Sequence, residues 1–385
     1  VGLFVAPQTT GRFALFQVEP GGGEATSVLD THRDSVSWAA VSASGTAIAM
    51  VATDPSGRRE LRRALLVPSP RVSGVDVDAT RLGRPRAVSD DGATIAVETG
   101  NGDLAIIETR GDRTSIHPLG TGRHGVPYYG VALSANGERL AYSVMKADCA
   151  RSARLMATCP VTLMGVDTRT PPLEPRALVG APAHLSYDPQ FLDEKGAELL
   201  FMTNVDDPSE ACQAHVNDCA YTIRRVPFGG GPSRLVARDG ILARLAPDGF
   251  LVFRRATAGE DGHRSWDRQA LFGQAPGSAT AASLPGVFPN RYHHHSPDFR
   301  HLLLQSHREG RTFLEILRRD GSRAHAGVPG VDIHAMGWSR TRLPPGPGRV
   351  RLPAAQRRFQ RALDLARKTA KDVDIAMHDV PAPAY

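Results

Sequence analysis

The stretch RYHHHSPDFRHLLLQSHREGRTFLEILRRDGS, residues 291–322, decides how the rest of the chain is interpreted. Three histidines lead into Ser-Pro-Asp, and an apolar run, a polar turn and a second apolar run follow. On its own this stretch fits either a metal site or one copy of a structural repeat. The rest of the chain decides between these two interpretations, because only a structural repeat recurs.

The pattern of strand, polar turn and strand recurs along the whole chain. The turns occupy Ser42–Gly45, Ser89–Gly92, Ser134–Gly137, Asp193–Gly196, Ala246–Gly249 and Ser296–Phe299. Glycine ends five of the six turns, as expected where the backbone needs a positive φ that a Cβ atom disfavours. The repeat is about 50 residues long and holds several short strands, which is typical of a β-propeller.

The turns SPDF (296–299), SDDG (89–92), SANG (134–137) and APDG (246–249) resemble the Ser-Pro-Asp-Gly turn of the TolB-like, WD40-like (PD40) propeller repeats. The resemblance covers roughly residues 30–340, and the chain departs from it at DEKG (193–196) and at Phe299. It implies the propeller fold. Such propellers serve as periplasmic scaffolds, as gating domains of serine peptidases and occasionally as lyases, so the fold alone does not identify the function.

Seven segments match the first strand of a repeat. They are 36–42, 85–89, 128–134, 185–192, 241–247, 292–297 and 332–338. The last has no strands after it, whereas the N-terminus supplies three strands with no first strand before them. We therefore predict an all-β, seven-bladed propeller over residues 1–340, in which the N-terminal strands complete the last blade and remove exposed sheet edges. A six-bladed ring with a separate N-terminal hairpin is the alternative.

Four cysteines form two pairs, each within the connection between the second and third strands of a repeat. Cys149 and Cys159 enclose nine residues, and Cys212 and Cys219 enclose six. Each pair closes its own hairpin connection, so we predict the disulfides Cys149–Cys159 and Cys212–Cys219. Zinc is the rival interpretation, although zinc pairs are usually closer in sequence. Two disulfides indicate an oxidising compartment, and the prediction is a periplasmic, cell-surface or secreted protein.

Beyond the repeats, residues 341–353 form a Pro/Gly-rich linker, residues 354–376 favour an amphipathic helix and residues 377–385 form a tail. The apolar stripe of the helix consists of Phe359, Leu363, Ala366, Ala370 and Val373. This helix either packs back on the propeller or docks on a partner protein. The net charge of +6 is spread over scattered arginines, which predicts no nucleic-acid role, and no apolar run is long enough to span a membrane.

Histidine is the remaining candidate for chemistry, because the chain has no Gly-x-Ser-x-Gly, phosphate-loop or calcium-loop motif. Several histidines fall at or near first strands, where a propeller channel would bring them together. They are His32, His124, His184, His293, His295 and His334. Such a set could hold a divalent metal, as in lyase-like propellers, but ordinary channel hydrogen bonds through water are the favoured explanation. No catalytic residue and no obligatory cofactor are predicted.

The sequence thus favours an extracytoplasmic binding or scaffold propeller, a protein–protein interaction subunit of a periplasmic or cell-surface assembly. Its partners would bind the face that carries the disulfide-closed connections and the C-terminal helix. The alternative is a metal-dependent, lyase-like carbohydrate-active enzyme that uses the channel histidines.

Overall fold

The structure is a computed structural model and describes residues 1–339 and 342, with interruptions. The interruptions are residues 8–12, 24, 31–34, 55, 79–81, 111–112, 120–125, 146–159, 180–185, 208, 211, 213–218, 259–263, 288–292, 297–299, 309–310, 319–321, 327–334 and 340–341. The described part contains seven antiparallel sheets of four strands each.

The chain begins with three strands and then builds six blades in sequence order. The first strands are β1 (Gly2–Pro7), β2 (Phe13–Val18) and β3 (Thr26–Asp30). Blade 1 consists of β4 (Ser35–Val41), β5 (Ala47–Thr53), β6 (Arg59–Leu65) and β7 (Arg71–Gly74). Blade 2 consists of β8 (Leu82–Val88), β9 (Thr94–Thr99), β10 (Leu104–Arg110) and β11 (Arg113–Pro118). Blade 3 consists of β12 (Val126–Leu133), β13 (Arg139–Met145), β14 (Val161–Asp167) and β15 (Arg176–Ala177).

The remaining blades repeat this meander. Blade 4 consists of β16 (Ser186–Phe191), β17 (Glu198–Thr203), β18 (Thr222–Pro227) and β19 (Arg234–Arg238). Blade 5 consists of β20 (Ile241–Leu245), β21 (Leu251–Ala258), β22 (Arg264–Gln274) and β23 (Ala282–Val287). Blade 6 consists of β24 (His293–His295), β25 (His301–Arg308), β26 (Arg311–Arg318) and β27 (Arg323–Ala326), and the last strand is β28 (Ala335–Trp338).

The seventh blade is a composite of the two ends of the strand sequence. Its strand order is β28-β1-β2-β3, and Leu3 of β1 lies opposite Gly337 of β28. The Val1 amino group donates to the Ser339 carbonyl at 3.0 Å, and the Ser339 amide donates back to the Val1 carbonyl at 2.9 Å. The predicted composite blade is therefore confirmed, and the six-bladed alternative is wrong.

The first strands lie around the channel, because contacts join β28 to β4, β4 to β8, β8 to β12 and β12 to β16. The strands of each blade alternate in direction, so the connections emerge on two faces. We call one the loop face. It carries the connections from second to third strands and from each blade to the next. The opposite turn face carries the turns between first and second strands.

Serine side chains explain the turn motif that reveals the repeat. The Ser42 hydroxyl oxygen accepts the amides of Thr46 and Ala47, both at 3.1 Å, and thereby satisfies backbone groups beyond the end of β4. In the DEKG turn, the Asp193 carboxylate takes this role and accepts the amide of Ala197 at 3.1 Å. The departure from the family motif therefore keeps the hydrogen bonds of the turn.

Neighbouring turns are also bonded to one another across the turn face. The Ser44 amide donates to the Asp90 carboxylate at 2.9 Å, and the Asp90 amide donates to the Ala135 carbonyl at 2.8 Å. One turn further, the Asn136 amide donates to the Glu194 carbonyl at 3.3 Å. These bonds link blades 1 to 4 in series, through the Asp90 side chain between blades 1 and 2 and through backbone groups between blades 2, 3 and 4.

The apolar core lies between blades rather than in one central cluster. The interface of blades 1 and 2, for example, buries Val51, Leu61, Leu82, Val97 and Ile107. Each blade buries both faces of its sheet, which explains the continuous apolar runs of the second strands. No helix among the described residues is long and apolar enough to cross a membrane.

Candidate functional site

Irregular first strands shape the loop-face end of the channel. Register shifts interrupt β12 between Pro127 and Val131, β16 between Tyr187 and Gln190, and β20 between Ile241 and Arg244. Each shift contains a residue with positive φ. These residues are Gly130 (79°), Asp188 (53°) and Leu242 (49°). Bulges redirect side chains, and non-glycine residues with positive φ are concentrated at functional sites. The three neighbouring strands β12, β16 and β20 therefore form the strongest candidate site.

Blades 3, 4 and 5 meet at Asp188. A Cβ atom on Gly130 would lie only 2.7 Å from the Asp188 Cα, so glycine is required for this approach of β12 to β16. From blade 5, Arg244 forms a two-point ion pair with Asp188, with N–O distances of 2.8 and 3.2 Å. Such forked pairing fixes both side chains in one geometry.

The ion pair is partly accessible, with 12% of the Asp188 side chain and 29% of the Arg244 side chain exposed. Burial lowers the pKa of Arg244, but the charge and hydrogen bonds of Asp188 outweigh burial, and the pKa is raised overall. The guanidinium therefore remains charged and fixed at the edge of the channel.

Arg254 adds a second, almost fully buried cation beside this pair. It lies on β21, opposite Ile241 of β20, is 3% exposed and donates from Nη1 to Gln269 Oε1 at 3.1 Å. Burial and then the charge of Arg244 lower the pKa of Arg254 to about 10, although Asp188 opposes this. Arg254 therefore remains charged at neutral pH in a buried position, and groups with such perturbed pKa values are frequent at functional sites.

The disulfide Cys212–Cys219 closes the connection beside this cluster. Its Cα atoms lie 4.2 Å apart, and the two cysteines are 2% and 0% exposed. They pack in one cluster with Tyr221 and with Ile241, the first residue of β20. The Asn204 side-chain amide lies within hydrogen-bonding distance of both sulfurs, at 3.2 and 3.5 Å. The predicted pairing of these two cysteines is confirmed.

Two aspartates join the two described ends of the 204–221 connection. The Asp207 carboxylate accepts the Ala220 amide at 2.6 Å, directly after the disulfide. Asp206 accepts the Thr222 hydroxyl at 2.8 Å and the Arg224 guanidinium at 2.7 Å. The base of the connection is thus held by side chains of its own blade, which makes this part of the loop face preorganised.

The histidines of the predicted metal site are not brought together in the described part of the structure. His293 and His295 lie on β24, which confirms that they belong to a first strand, but their side chains lie outside what the structure describes. His32, His124, His184 and His334, and the pair Cys149 and Cys159, also lie outside the described residues. Among the described residues, no group of three His, Cys, Asp or Glu side chains could hold a metal ion.

Sequence reasoning missed Asp188, Arg244 and Arg254. The signal that was present is the pair of arginines in LVFRR, residues 251–255, inside an apolar second strand. The meeting of Asp188 with Arg244 carries no local signal, because the two residues belong to different blades.

We expect the Cys212–Cys219 bond to stabilise the propeller by about 2 kcal/mol, because it closes a short loop in the unfolded chain. Replacing both cysteines with alanine should lower the free energy of unfolding by this amount, as measured by urea denaturation. Reduction should lower the stability of the wild-type protein by about this amount more than it lowers that of the double variant, which keeps only the predicted Cys149–Cys159 bond. Non-reducing peptide mapping should identify Cys212–Cys219, and free thiols at both positions would contradict the assignment.

Solved structures show the same architecture, whereas no family model and no curated protein matches the chain. The tricorn protease aligns with a TM-score of 0.59 at 10% identity, over 86% of this chain and 35% of that chain. An oligogalacturonate lyase in complex with manganese aligns with a TM-score of 0.52 at 11% identity, over 83% of this chain and 82% of that chain. TolB from Acinetobacter baumannii aligns with a TM-score of 0.46 at 12% identity, over 88% of this chain and 66% of that chain. At these identities the likeness concerns the fold alone, and the chain resembles the TolB-like β-propellers in that fold, as its turns implied.

Proposed function

We propose that the chain is an extracytoplasmic propeller that binds other proteins at its loop face, as a subunit of a periplasmic or cell-surface assembly. The disulfide-closed 204–221 connection is the observation that supports this proposal most. A disulfide persists in oxidising compartments, which favours a location outside the cytoplasm. The bond also fixes the two cysteines relative to each other, and a surface held in place in this way loses less conformational entropy when a partner binds.

The charged cluster at the channel supports binding rather than a purely structural role. Arg244 and Arg254 of blade 5 place two guanidinium groups beside Asp188 of blade 4, the blade that also carries the disulfide-closed connection. Arginine is favoured at protein interfaces because its planar group makes several hydrogen bonds at once. Blades 4 and 5 thus combine a disulfide-closed connection with a charged cluster, and both are features that a protein partner could bind.

We also propose that residues 354–376 form a helix that provides a second contact with the partner. Phe359 and Leu363 lie in its apolar stripe, and an isolated helix of this length is marginal in water. The helix therefore needs a surface to cover its stripe, and the strands of the N-terminus already complete the ring.

Site-specific crosslinking tests the proposed face. A photocrosslinking residue in place of Glu210, exposed in the disulfide-closed connection, should yield a discrete adduct in cells that secrete the protein. The matched position is Lys195, exposed in a turn on the opposite face, where we expect no adduct. The double substitution Phe359→Asp and Leu363→Asp should weaken the Glu210 adduct and leave the melting temperature of the propeller unchanged.

Equal adducts at both positions, or none at either, would contradict a loop-face interface. Unfolding of the double variant would show instead that the helix is part of the propeller.

The alternative function, a metal-dependent carbohydrate-active enzyme using the channel histidines, predicts Mn²⁺-dependent cleavage of oligogalacturonate by the purified protein. Absence of that activity at saturating Mn²⁺, together with the adduct, would favour the binding function.

A further inference from the structure

Two arginines stack on one tryptophan at the junction of blades 1 and 2. Trp38 lies on β4 opposite Val51 and packs against the core between these blades. The guanidinium carbon of Arg59, the first residue of β6, lies 5.1 Å from the centroid of the Trp38 ring. The guanidinium carbon of Arg84, within the register shift of β8, lies 5.4 Å from the same centroid.

The two cations come from different blades, so they approach each other only in the folded ring. Both lie near one indole, which places them within about 10 Å of each other, roughly one Debye length at 0.1 M salt. At this separation in a partly buried site, their repulsion is only partly screened. Trp38 offsets some of this cost through cation–π attraction.

Three carboxylates near the junction are engaged elsewhere. Asp54 accepts three hydrogen bonds within its own loop, Glu60 pairs with Arg62 at 2.8 Å and Glu98 lies 3.8 Å from Arg86. Within the described part of the chain, neither Arg59 nor Arg84 forms an ion pair with any of them. The positive charge of the junction is therefore not neutralised by these neighbours.

Two buried polar atoms at this junction have no hydrogen-bond partner among the described residues. They are Nη2 of Arg59 and Oγ1 of Thr99. Thr99 lies opposite Leu82, which is part of the core between blades 1 and 2, so its side chain points from blade 2 towards blade 1. Both atoms lie at strand ends next to the loop face, and each would gain a hydrogen bond from a bound ligand.

Donor chemistry defines the ligand class. The two guanidinium groups only donate hydrogen bonds, and the Thr99 hydroxyl can donate as well. A ligand that satisfies all of them must accept hydrogen bonds and carry negative charge. We propose that Arg59, Arg84, Thr99 and Trp38 form a binding site for an oxyanion, the carboxylate or phosphate group of a small ligand, at the loop face between blades 1 and 2.

Purified protein suffices for the test, because oxyanion binding here does not require the protein partner proposed above. Isothermal titration with citrate and with inorganic phosphate should show saturable binding of at least one, and the comparison distinguishes carboxylate from phosphate. We expect Arg59→Gln and Arg84→Gln to weaken this binding at least tenfold. The matched control is Arg71→Gln on β7, an exposed position in the same blade that loses the same charge, and its affinity should stay within twofold of the wild type.

Thr99→Val, which removes the hydroxyl but keeps the shape, should weaken binding several-fold without loss of thermal stability. Arg84 is exposed, so its variant tests the site even if Arg59→Gln does not fold. Absence of saturable binding for both anions would overturn the proposal. Equal weakening of anion binding by Arg71→Gln and Arg84→Gln would also overturn it, because the effect would then come from the general surface charge.

Discussion

Deletion of residues 1–30 is expected to unfold the entire ring rather than one blade. The deletion removes three strands whose side chains Leu3, Phe4, Leu15 and Phe16 are at most 4% exposed. It also exposes the faces of blades 6 and 1 against which these side chains pack. Burial of one such side chain contributes about 1.5–3 kcal/mol, so the loss reaches the total stability of a typical domain, about 5–15 kcal/mol.

Circular dichroism melting and size-exclusion chromatography would measure this outcome, with loss of the cooperative transition or aggregation as the expected result. A milder variant gives a graded test. Phe4 is fully buried and stacks on Phe16 with ring centroids 5.2 Å apart, so Phe4→Ala should cost about 3–5 kcal/mol. The control is Val72→Ala at a 39% exposed position, with an expected change below about 0.5 kcal/mol. A deletion with unchanged melting temperature would show that the composite blade is not part of the cooperative unit.

Gly45→Ala is expected to cost more than about 3 kcal/mol, because it forces the turn of blade 1 away from the closing strand. Gly45 has φ of +71°, and a Cβ atom there would lie 1.7 Å from the carbonyl oxygen of Trp338 and 2.7 Å from the Cα of Ser339. Both contacts are with backbone, so no side-chain rotation relieves them. The backbone of β28 would have to move.

Gly57→Ala provides the matched control for this substitution. Gly57 also has positive φ, +84°, but a Cβ atom there would meet nothing within 4 Å. Only the conformational cost of about 1 kcal/mol remains. Urea denaturation of the two variants therefore distinguishes the cost of the close contact with β28 from the cost of the positive φ. An equal loss of unfolding free energy in both variants would contradict the role of Gly45 in ring closure.

The fold could be predicted because its signals are local and repeated. Ser42 and Asp193 each satisfy the backbone of their own turn, so the motif recurs wherever a first strand ends. The composite blade followed from counting, since DIHAMGW had no partner strands and the N-terminus had no first strand. The disulfide Cys212–Cys219 could also be predicted, because both cysteines lie in the connection between the second and third strands of one blade.

The candidate site could not be predicted in the same way. Asp188 and Arg244 meet across two blades, and their approach depends on bulges that interrupt the period of the strand. Trp38 and Arg84 likewise come from successive repeats. Such contacts depend on how blades pack against each other, and no repeat motif records that packing. Histidines are recognisable in a sequence as potential metal ligands, whereas Arg84, Arg244 and Arg254 cannot be distinguished there from ordinary surface arginines.

The pairing of β1 with β28 also sets the order of events when the chain is made. Because synthesis proceeds from the N-terminal side, β1 to β3 are made before the other strands of the ring, whereas the first strand of their blade, β28, begins only at residue 335. Throughout that interval Leu3 and Phe4 have no completed blade to cover them. Contacts between such distant segments form slowly, and exposed apolar strands aggregate while they wait. The ring therefore closes last, after the whole propeller has left the ribosome. The yield of folded protein in cells then depends on how well β1 to β3 are protected from aggregation until β28 pairs with them.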